Sequence, residues 1–177
     1  MKNKSTLYIV QASAIAGLYA ALTILQNLLL PGSASAAVQF RVSEVMTVFA
    51  LFTPAAVPGL TIGCVLANLS SLSSLGPYDM IFGSLASLFA AILMYLMRNI
   101  RFFKLPILSC LMPALTNGAL VGFEIEFFFV SGKFHFADFL LQGGFVALGE
   151  LCVLFALGLP LARLFEKQGL DKKLFHL

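Results

Sequence analysis

The residues that could do chemistry in this sequence are a few charged and amide side chains set within or beside long apolar stretches. An ionisable group in such a stretch costs roughly 3 kcal/mol or more at the centre of a membrane, so it marks a candidate functional site. Carboxylates accept hydrogen bonds and attract cations, whereas carboxamides both donate and accept. Together they could recognise a small polar molecule. In chain order the candidates are Arg41, Glu44, Asn68, Asp79, Asn117, Glu124 and Glu150.

The composition indicates which elements must position these side chains. Of the 177 residues, 60% are hydrophobic and 11% are charged, and the mean hydropathy is +0.97. Soluble domains have about a quarter of their residues charged, so these values exclude a water-soluble enzyme, a nucleic-acid-binding module and a disordered tail. A membrane-spanning helix needs about 20 mostly apolar residues. We therefore predict an all-α, multi-pass membrane protein.

Proline, glycine and charged residues divide the chain into six predicted spans, which form a single integral membrane domain over residues 1–177. The first apolar run is longer than the signal-peptide core of about 7 to 15 residues, so we expect it to be a retained span. The predicted spans are 6–30, 42–56, 58–73, 79–98, 105–130 and 136–165.

The basic residues predict the orientation, because short loops rich in Lys and Arg stay in the cytoplasm. With six spans, nine of the eleven basic residues lie on the side of the two termini, and only Arg41 and Lys133 lie opposite. Both the N and the C terminus are therefore predicted to be cytoplasmic. The nine residues are Lys2, Lys4, Arg98, Arg101, Lys104, Arg163, Lys167, Lys172 and Lys173.

This topology gathers the polar candidates in the outer half of the bundle. A pore or a proton path would need polar groups through the full thickness, so the pattern predicts a pocket that opens to the outside. Asn117 and Glu124 are seven residues apart, about 700° of helix, and share a face. We expect Glu124 to face inward and Glu126 to snorkel or to reach the surface. Gly143, on the face of Glu150, is expected to leave space beside that carboxylate.

Several of these residues have structural alternatives. Glu44 could pair with Arg41, Asp79 could cap the helix that it begins, and Glu150 could hydrogen-bond a neighbouring helix. The phenylalanines of the outer region could stack on a planar ligand, or they could face lipid. They are Phe123, Phe127, Phe128, Phe129, Phe134, Phe136 and Phe139.

Small residues recur every four positions in the first span, at Ala12, Ala16 and Ala20. Such a stripe lets another helix approach closely in lipid. Gly59 and Gly63 form a second pair of small residues in the third span. Each set could dock a partner or serve packing within the chain.

The sequence has no recognisable catalytic or metal-binding motif. It contains no Gly-x-x-x-x-Gly-Lys-Ser/Thr loop for ATP phosphates and no His-Glu-x-x-His. We expect His135 and His176 to be surface residues, and the net charge of +3 is too small to indicate a nucleic-acid partner. Energy for transport against a gradient would come from an ion or from another subunit. Three cysteines without Cys-x-x-Cys spacing are expected to be small buried hydrophobes; they are Cys64, Cys110 and Cys152.

Several short segments form a combination that is specific, although each is weak alone. They are QFRVSE at 39–44, PAAVPGL at 54–60, ANL at 67–69, FGSLA at 82–86 and GE at 149–150. With Asn117 and Glu124 they cover roughly residues 37–162, and the combination resembles the QueT family of queuosine-precursor transporters.

This resemblance implies the fold and role of a substrate-binding S component of an energy-coupling factor (ECF) transporter in a bacterial plasma membrane. Such a subunit has six helices and both termini inside, and it captures its ligand from outside. It docks on a transmembrane T subunit with two cytoplasmic ATPases, so ATP is used by the partners and this chain needs no cofactor. Ala12, Ala16 and Ala20 look like the face that contacts the T subunit.

The implied ligand is a 7-deazaguanine, such as queuine or its aminomethyl precursor. Its guanine-like edge offers N–H donors that Glu150 or Glu44 could accept, and Asn68 and Asn117 could orient it. Glu124 would face the ammonium group. Three alternatives stay open: an S component for another B-vitamin-like compound, a self-sufficient proton-coupled carrier using Glu150, and a purely structural membrane protein.

Overall fold

A computed structural model describes residues 4–33, 38–72, 76–130 and 132–175 of the chain. Lys2 and His176, discussed above, lie outside these ranges. The described residues form seven α-helices joined by 3-10 and π-helical segments, and no strand longer than an isolated bridge occurs among them. The prediction of an all-α protein is confirmed.

The first half of the chain contains one long helix, two short ones and a second long one. They are α1 (Lys4–Leu29), the 3-10 helix Val42–Leu51, α2 (Ala56–Asn68), which continues as a 3-10 turn over Leu69–Ser71, and α3 (Pro77–Leu96).

The second half contains two long helical segments, and each includes a π-helical turn. They are α4 (Ile107–Glu124) with the π turn Ile125–Phe129, and α5 (Phe136–Val153) with the π turn Leu154–Gly158 and α6 (Leu159–Gln168). The short α7 (Leu170–Leu174) follows.

Among the described residues, four helical segments are long and apolar enough to cross a membrane by length and composition: Lys4–Leu29, Pro77–Leu96, Ile107–Phe129 and Phe136–Gln168. The other two predicted spans correspond to the 3-10 helix and α2, which are shorter. A 3-10 helix rises about 2.0 Å per residue, so ten residues reach about 20 Å, against a hydrocarbon core of about 30 Å. The six-span count and the cytoplasmic termini therefore stay predictions.

The small residues of α1 pack against α2 within the chain. A Cβ added to Gly63 would lie 2.9 Å from the carbonyl oxygen of Ala16, and one added to Gly59 would lie 2.8 Å from that of Ala12. Ala16 and Ala20 are buried by this contact. Internal packing therefore accounts for part of the stripe, and its contact with a T subunit stays a prediction.

Close contact between α4 and α5 also depends on glycine. A Cβ added to Gly118 would lie 2.8 Å from the carbonyl oxygen of Gly143 and 3.1 Å from the Cβ of Ala147. The backbone of α4 therefore occupies the space at Gly143, and the expectation of space beside the Glu150 carboxylate stays a prediction.

The main core lies where α1, α2, α3 and the 3-10 helix meet, around Val48, Leu60 and Met94. Cys64 and Cys110 are fully buried, as predicted. Cys152 is exposed, so the prediction is wrong for that residue, which lies on the outward face of α5.

Aromatic side chains pack together at the end of the bundle that holds the start of α1 and the C-terminal segment. Phe175, directly after α7, packs on Phe49 and Phe52 of the 3-10 helix region with ring-centroid distances of 5.5 and 6.1 Å. Gln11 of α1 donates to the carbonyl oxygen of Leu174 at 2.8 Å. The C-terminal segment therefore ties α1 to the end of the 3-10 helix.

Candidate substrate-binding site

The candidate site begins where residues 38–41, which belong to no helix, enter the bundle. The Gln26 side chain of α1 holds this segment, because its Nε2 donates to the carbonyl oxygen of Phe40 and its Oε1 accepts from the amide of Val42 at 2.8 Å. On the other side, a Cβ at Gly149 of α5 would collide with the backbone of Gln39. This backbone contact brings Arg41 into the interior, where it is 6% exposed.

Arg41 forms a buried ion pair with Asp79 of α3. The distance from Nη2 to Oδ1 is 3.3 Å, and both side chains are 7% exposed. Asn68, at the end of α2, donates from Nδ2 to the carbonyl oxygen of Asp79 at 2.9 Å. Three sequence-predicted site residues from three elements therefore meet at one end of the bundle, with Asn68 fixing the first turn of α3.

Glu44 lies on the 3-10 helix and is bonded to α1. The hydroxyl of Tyr19, near the middle of α1, donates to Oε1 of Glu44. One turn further along, Thr23 Oγ1 and Ser43 Oγ are hydrogen-bonded at 2.7 Å. Sequence reasoning missed Tyr19. The signal that could have found it is its hydroxyl, since a buried tyrosine normally needs a polar partner.

Four candidate side chains carry buried polar atoms that have no hydrogen-bond partner among the described residues. Buried polar side-chain atoms are paired in the large majority of cases, so a cluster of orphaned ones needs an explanation. The side chains are 0 to 2% exposed, which excludes bulk water as the partner. The atoms are Glu44 Oε2, Asn117 Nδ2, Glu124 Oε2 and Glu150 Oε2.

Electrostatic interactions show that these groups share one region. Glu150 interacts with Glu44 and with Arg41, and Asn117 lies beside Glu150 without completing a hydrogen bond of normal geometry. Glu124 interacts with Arg41 and with Asp79. The structure therefore brings together the seven residues that the sequence singled out, from the 3-10 helix and the residue before it, α2, α3, α4 and α5.

Gly83 lets the side chains of the site pack closely against α3. A Cβ at this position would lie 2.8 Å from Nδ2 of Asn68 and 3.8 Å from Nη1 of Arg41. Gly83 is one helical turn after Asp79, so it faces the same side of α3. A larger residue here would displace the Asn68 amide, which holds the first turn of α3.

Several aromatic residues are sequence neighbours of Asp79 and Glu124. Their rings form a layer that joins α3 to the end of α4. Tyr78 stacks on Phe128 at 4.0 Å between ring centroids, and Phe82 contacts Phe123 at 5.9 Å and Phe128 at 5.7 Å. Phe82 and Phe123 are partly buried. Phe127, by contrast, is 56% exposed, which favours the lipid-facing interpretation for that ring.

Glu126 does not reach the surface, so that prediction is wrong. The residue is 2% exposed, and its Oε1 accepts from the amide of His135 at 3.1 Å. His135 directly precedes α5, whose first amides have no partner within the helix. Glu126 therefore accepts a hydrogen bond from the backbone at the start of α5. By helical phase it points away from the side of Asn117.

Comparison with known proteins gives one family. The family model described as QueT transporter matches residues 9–167. The Queuosine precursor transporter QueT of Lactococcus lactis subsp. cremoris (strain MG1363) is 31% identical over 166 residues, which cover 88% of this chain and 90% of the relative. No solved structure matches the chain significantly.

Proposed function

This multi-pass membrane protein belongs to the QueT transporter family, and we propose that it is the substrate-binding S component of an ECF importer in a bacterial plasma membrane. Its ligand in this proposal is a queuosine precursor of the 7-deazaguanine class, captured from outside the cell. The partners are a T subunit and two ATPases, which supply the energy of ATP.

One observation carries the proposal: the orphaned buried atoms of Glu44, Asn117, Glu124 and Glu150. A buried polar atom without a partner costs about 1 to 3 kcal/mol, and four such atoms in one region are a large cost for a structural protein. A planar base with several N–H donors and a carbonyl acceptor offsets this cost, because it pairs with carboxylate and amide groups.

The arrangement supports a division of roles. Glu44 and Glu150 interact with each other, and a guanine-like edge placed between them presents donors to both. Asn117, beside Glu150, orients the ring, while Asn68 acts through the Asp79 backbone and keeps the Arg41–Asp79 pair in place. Gly83 has no side chain, which lets the Asn68 amide pack closely against α3.

A direct binding measurement tests the proposed identity of the ligand. The chain is purified alone in detergent and titrated calorimetrically with aminomethyl-7-deazaguanine. Glu150→Gln replaces one acceptor oxygen by a donor, so it should weaken binding by about 10- to 100-fold. Asp138→Asn is the matched control, because Asp138 lies on the same helix and is exposed; its affinity should equal that of the wild type. Wild-type affinity in Glu150→Gln removes Glu150 from the site.

Reconstitution tests the mechanism. In liposomes, uptake of the ligand should need the T subunit, both ATPases and ATP. Uptake by the isolated chain under a pH gradient would contradict the ECF mechanism and support a proton-coupled carrier. Mass spectrometry of small molecules that co-purify with the chain would identify the natural ligand independently.

A further inference from the structure

The connection between α3 and α4 carries an exposed aromatic turn among basic side chains, and from this we infer that it binds anionic phospholipid at the bilayer surface. The Phe103 ring inserts among the lipid headgroups, while Arg98 and Lys104 contact lipid phosphates. The connection lies at the end of α3 opposite to Asp79, so the inference is independent of the candidate substrate-binding site.

Residues 102–105 form a two-residue hairpin turn. The backbones of Phe102 and Leu105 exchange two hydrogen bonds, both of 2.9 Å, and φ is +51° at Phe103 and +64° at Lys104. Turns with two positive φ values normally contain Asn-Gly or Asp-Gly, because a bulky side chain is disfavoured in this conformation. A strained backbone of this kind persists where other contacts compensate for it.

The Phe103 ring finds little contact within the chain, since the residue is 95% exposed. Both helices that the turn connects, Pro77–Leu96 and Ile107–Phe129, are long and apolar enough to cross a membrane. The ten residues between α3 and α4 therefore lie where the chain leaves the bilayer, within reach of the headgroups. An apolar ring beside basic residues is the composition that favours this interface.

Basic residues give this end of the bundle a positive charge. Residues 97–106 contain three basic residues and no acidic one. Arg101 pairs with Glu166 of α6 at 2.8 Å, which places residues 163–175 beside the turn. The two segments together contain seven basic and two acidic residues, a formal charge of +5 (seven minus two). A basic cluster of this size next to a membrane span attracts anionic lipid.

Arg98 and Lys104 are the cations assigned to lipid phosphate, because neither forms an ion pair within the described part of the chain. The Arg98 guanidinium lies 3.9 Å from the centroid of the Tyr95 ring and donates to the Tyr95 carbonyl oxygen at 2.7 Å. These contacts hold it at the end of α3 with further N–H donors available. Lys104 directly follows Phe103, so its ammonium group can reach headgroup oxygens while the ring inserts. A phospholipid supplies both the anion and the apolar layer.

A single fluorescent reporter tests the inference, because the chain contains no tryptophan and Phe103→Trp introduces one. The full chain is reconstituted in vesicles of equal parts phosphatidylglycerol and phosphatidylcholine, with the quencher bromine on the acyl chains of one lipid or of the other. Brominated phosphatidylglycerol should quench at least about five-fold more strongly, because each basic side chain near an anionic surface contributes about that factor. Phe136→Trp is the matched control. Phe136 is 65% exposed at the start of α5, where Lys133 and Asp138 offset each other, and it should show no such preference.

A charge variant tests the role of Lys104. In the Phe103→Trp background, Lys104→Gln should lower the preference for phosphatidylglycerol by about five-fold, whereas Lys133→Gln, at the other end of the bundle, should keep it. All these positions are exposed, so each variant should unfold at the wild-type temperature.

Three results would overturn the inference. The first is equal quenching of Phe103→Trp by the two brominated lipids. The second is quenching by neither lipid, together with full access of the aqueous quencher acrylamide. The third is protection from acrylamide only after a T subunit and ATPases are added, which would assign the turn to a protein partner.

Discussion

Tyr19→Phe tests whether the Glu44 carboxylate is held in position for a ligand. The substitution keeps the ring and removes only the hydroxyl that donates to Glu44 Oε1. Because Tyr19 is 1% and Glu44 0% exposed, no bulk water replaces the lost donor, and both oxygens of Glu44 are then without a partner. A hydrogen bond to a charged group contributes about 1.5 to 3 kcal/mol. We therefore expect ligand affinity to fall by about 10- to 100-fold.

The assay combines calorimetric titration with thermal unfolding of the detergent-purified chain. Tyr19→Phe should also lower the free energy of unfolding by about 1 to 3 kcal/mol. Tyr8→Phe is the control, since Tyr8 lies on the same helix and is partly exposed, and it should change neither quantity. In a double-mutant cycle with Glu44→Gln, the two residues should show a coupling energy of about 0.5 to 3 kcal/mol.

Two results would refute this reasoning. Unchanged affinity in Tyr19→Phe would mean that the hydroxyl does not position an acceptor that the ligand uses. Additive effects in the cycle would mean that Tyr19 and Glu44 act independently, in spite of their hydrogen bond. A loss of stability with unchanged affinity would assign the pair to folding alone.

Gly83→Ala should weaken ligand binding and destabilise the chain by about 1 to 3 kcal/mol, because its Cβ would lie 2.8 Å from Asn68 Nδ2. Gly144→Ala, whose Cβ meets nothing within 4 Å, should leave ligand affinity unchanged and should not destabilise the chain, because alanine is favoured over glycine within a helix. Phe175→Ala should lower the unfolding temperature measurably without changing ligand affinity, since its ring stacks on those of the 3-10 helix region. Phe103→Ala removes a ring that is 95% exposed and should leave the unfolding temperature unchanged; equal effects of the two Phe variants would contradict the packing role.

Composition and periodicity were sufficient to predict the helical class and the inward face of α4. Asn117 and Glu124 share that face because their spacing of seven residues nearly equals two helical turns, and both are buried. The interior location of Glu150 follows from the same logic, since a carboxylate within a long apolar helix avoids lipid by facing protein.

Contacts between segments that are distant in the chain could not be predicted in this way. The path of residues 38–41 depends on Gln26, which satisfies backbone groups on both sides of Arg41. Glu126 is buried because the amide of His135 needs an acceptor. Helical phase describes one helix at a time, so it places Glu126 opposite Glu124 but does not say that another helix begins there.

The glycines explain why the polar groups can meet at all. Residues 38–41 lie against α5 because Gly149 has no side chain to separate it from Gln39, and this contact carries Arg41 and Glu44 to the depth of Glu150. Likewise, the approach of Gly118 to Gly143 brings Asn117 of α4 beside Glu150 of α5. The carboxylates and amides supply the chemistry of recognition. Their mutual distances also depend on close backbone contacts at Gly118, Gly143 and Gly149, so helix packing contributes to the site's geometry.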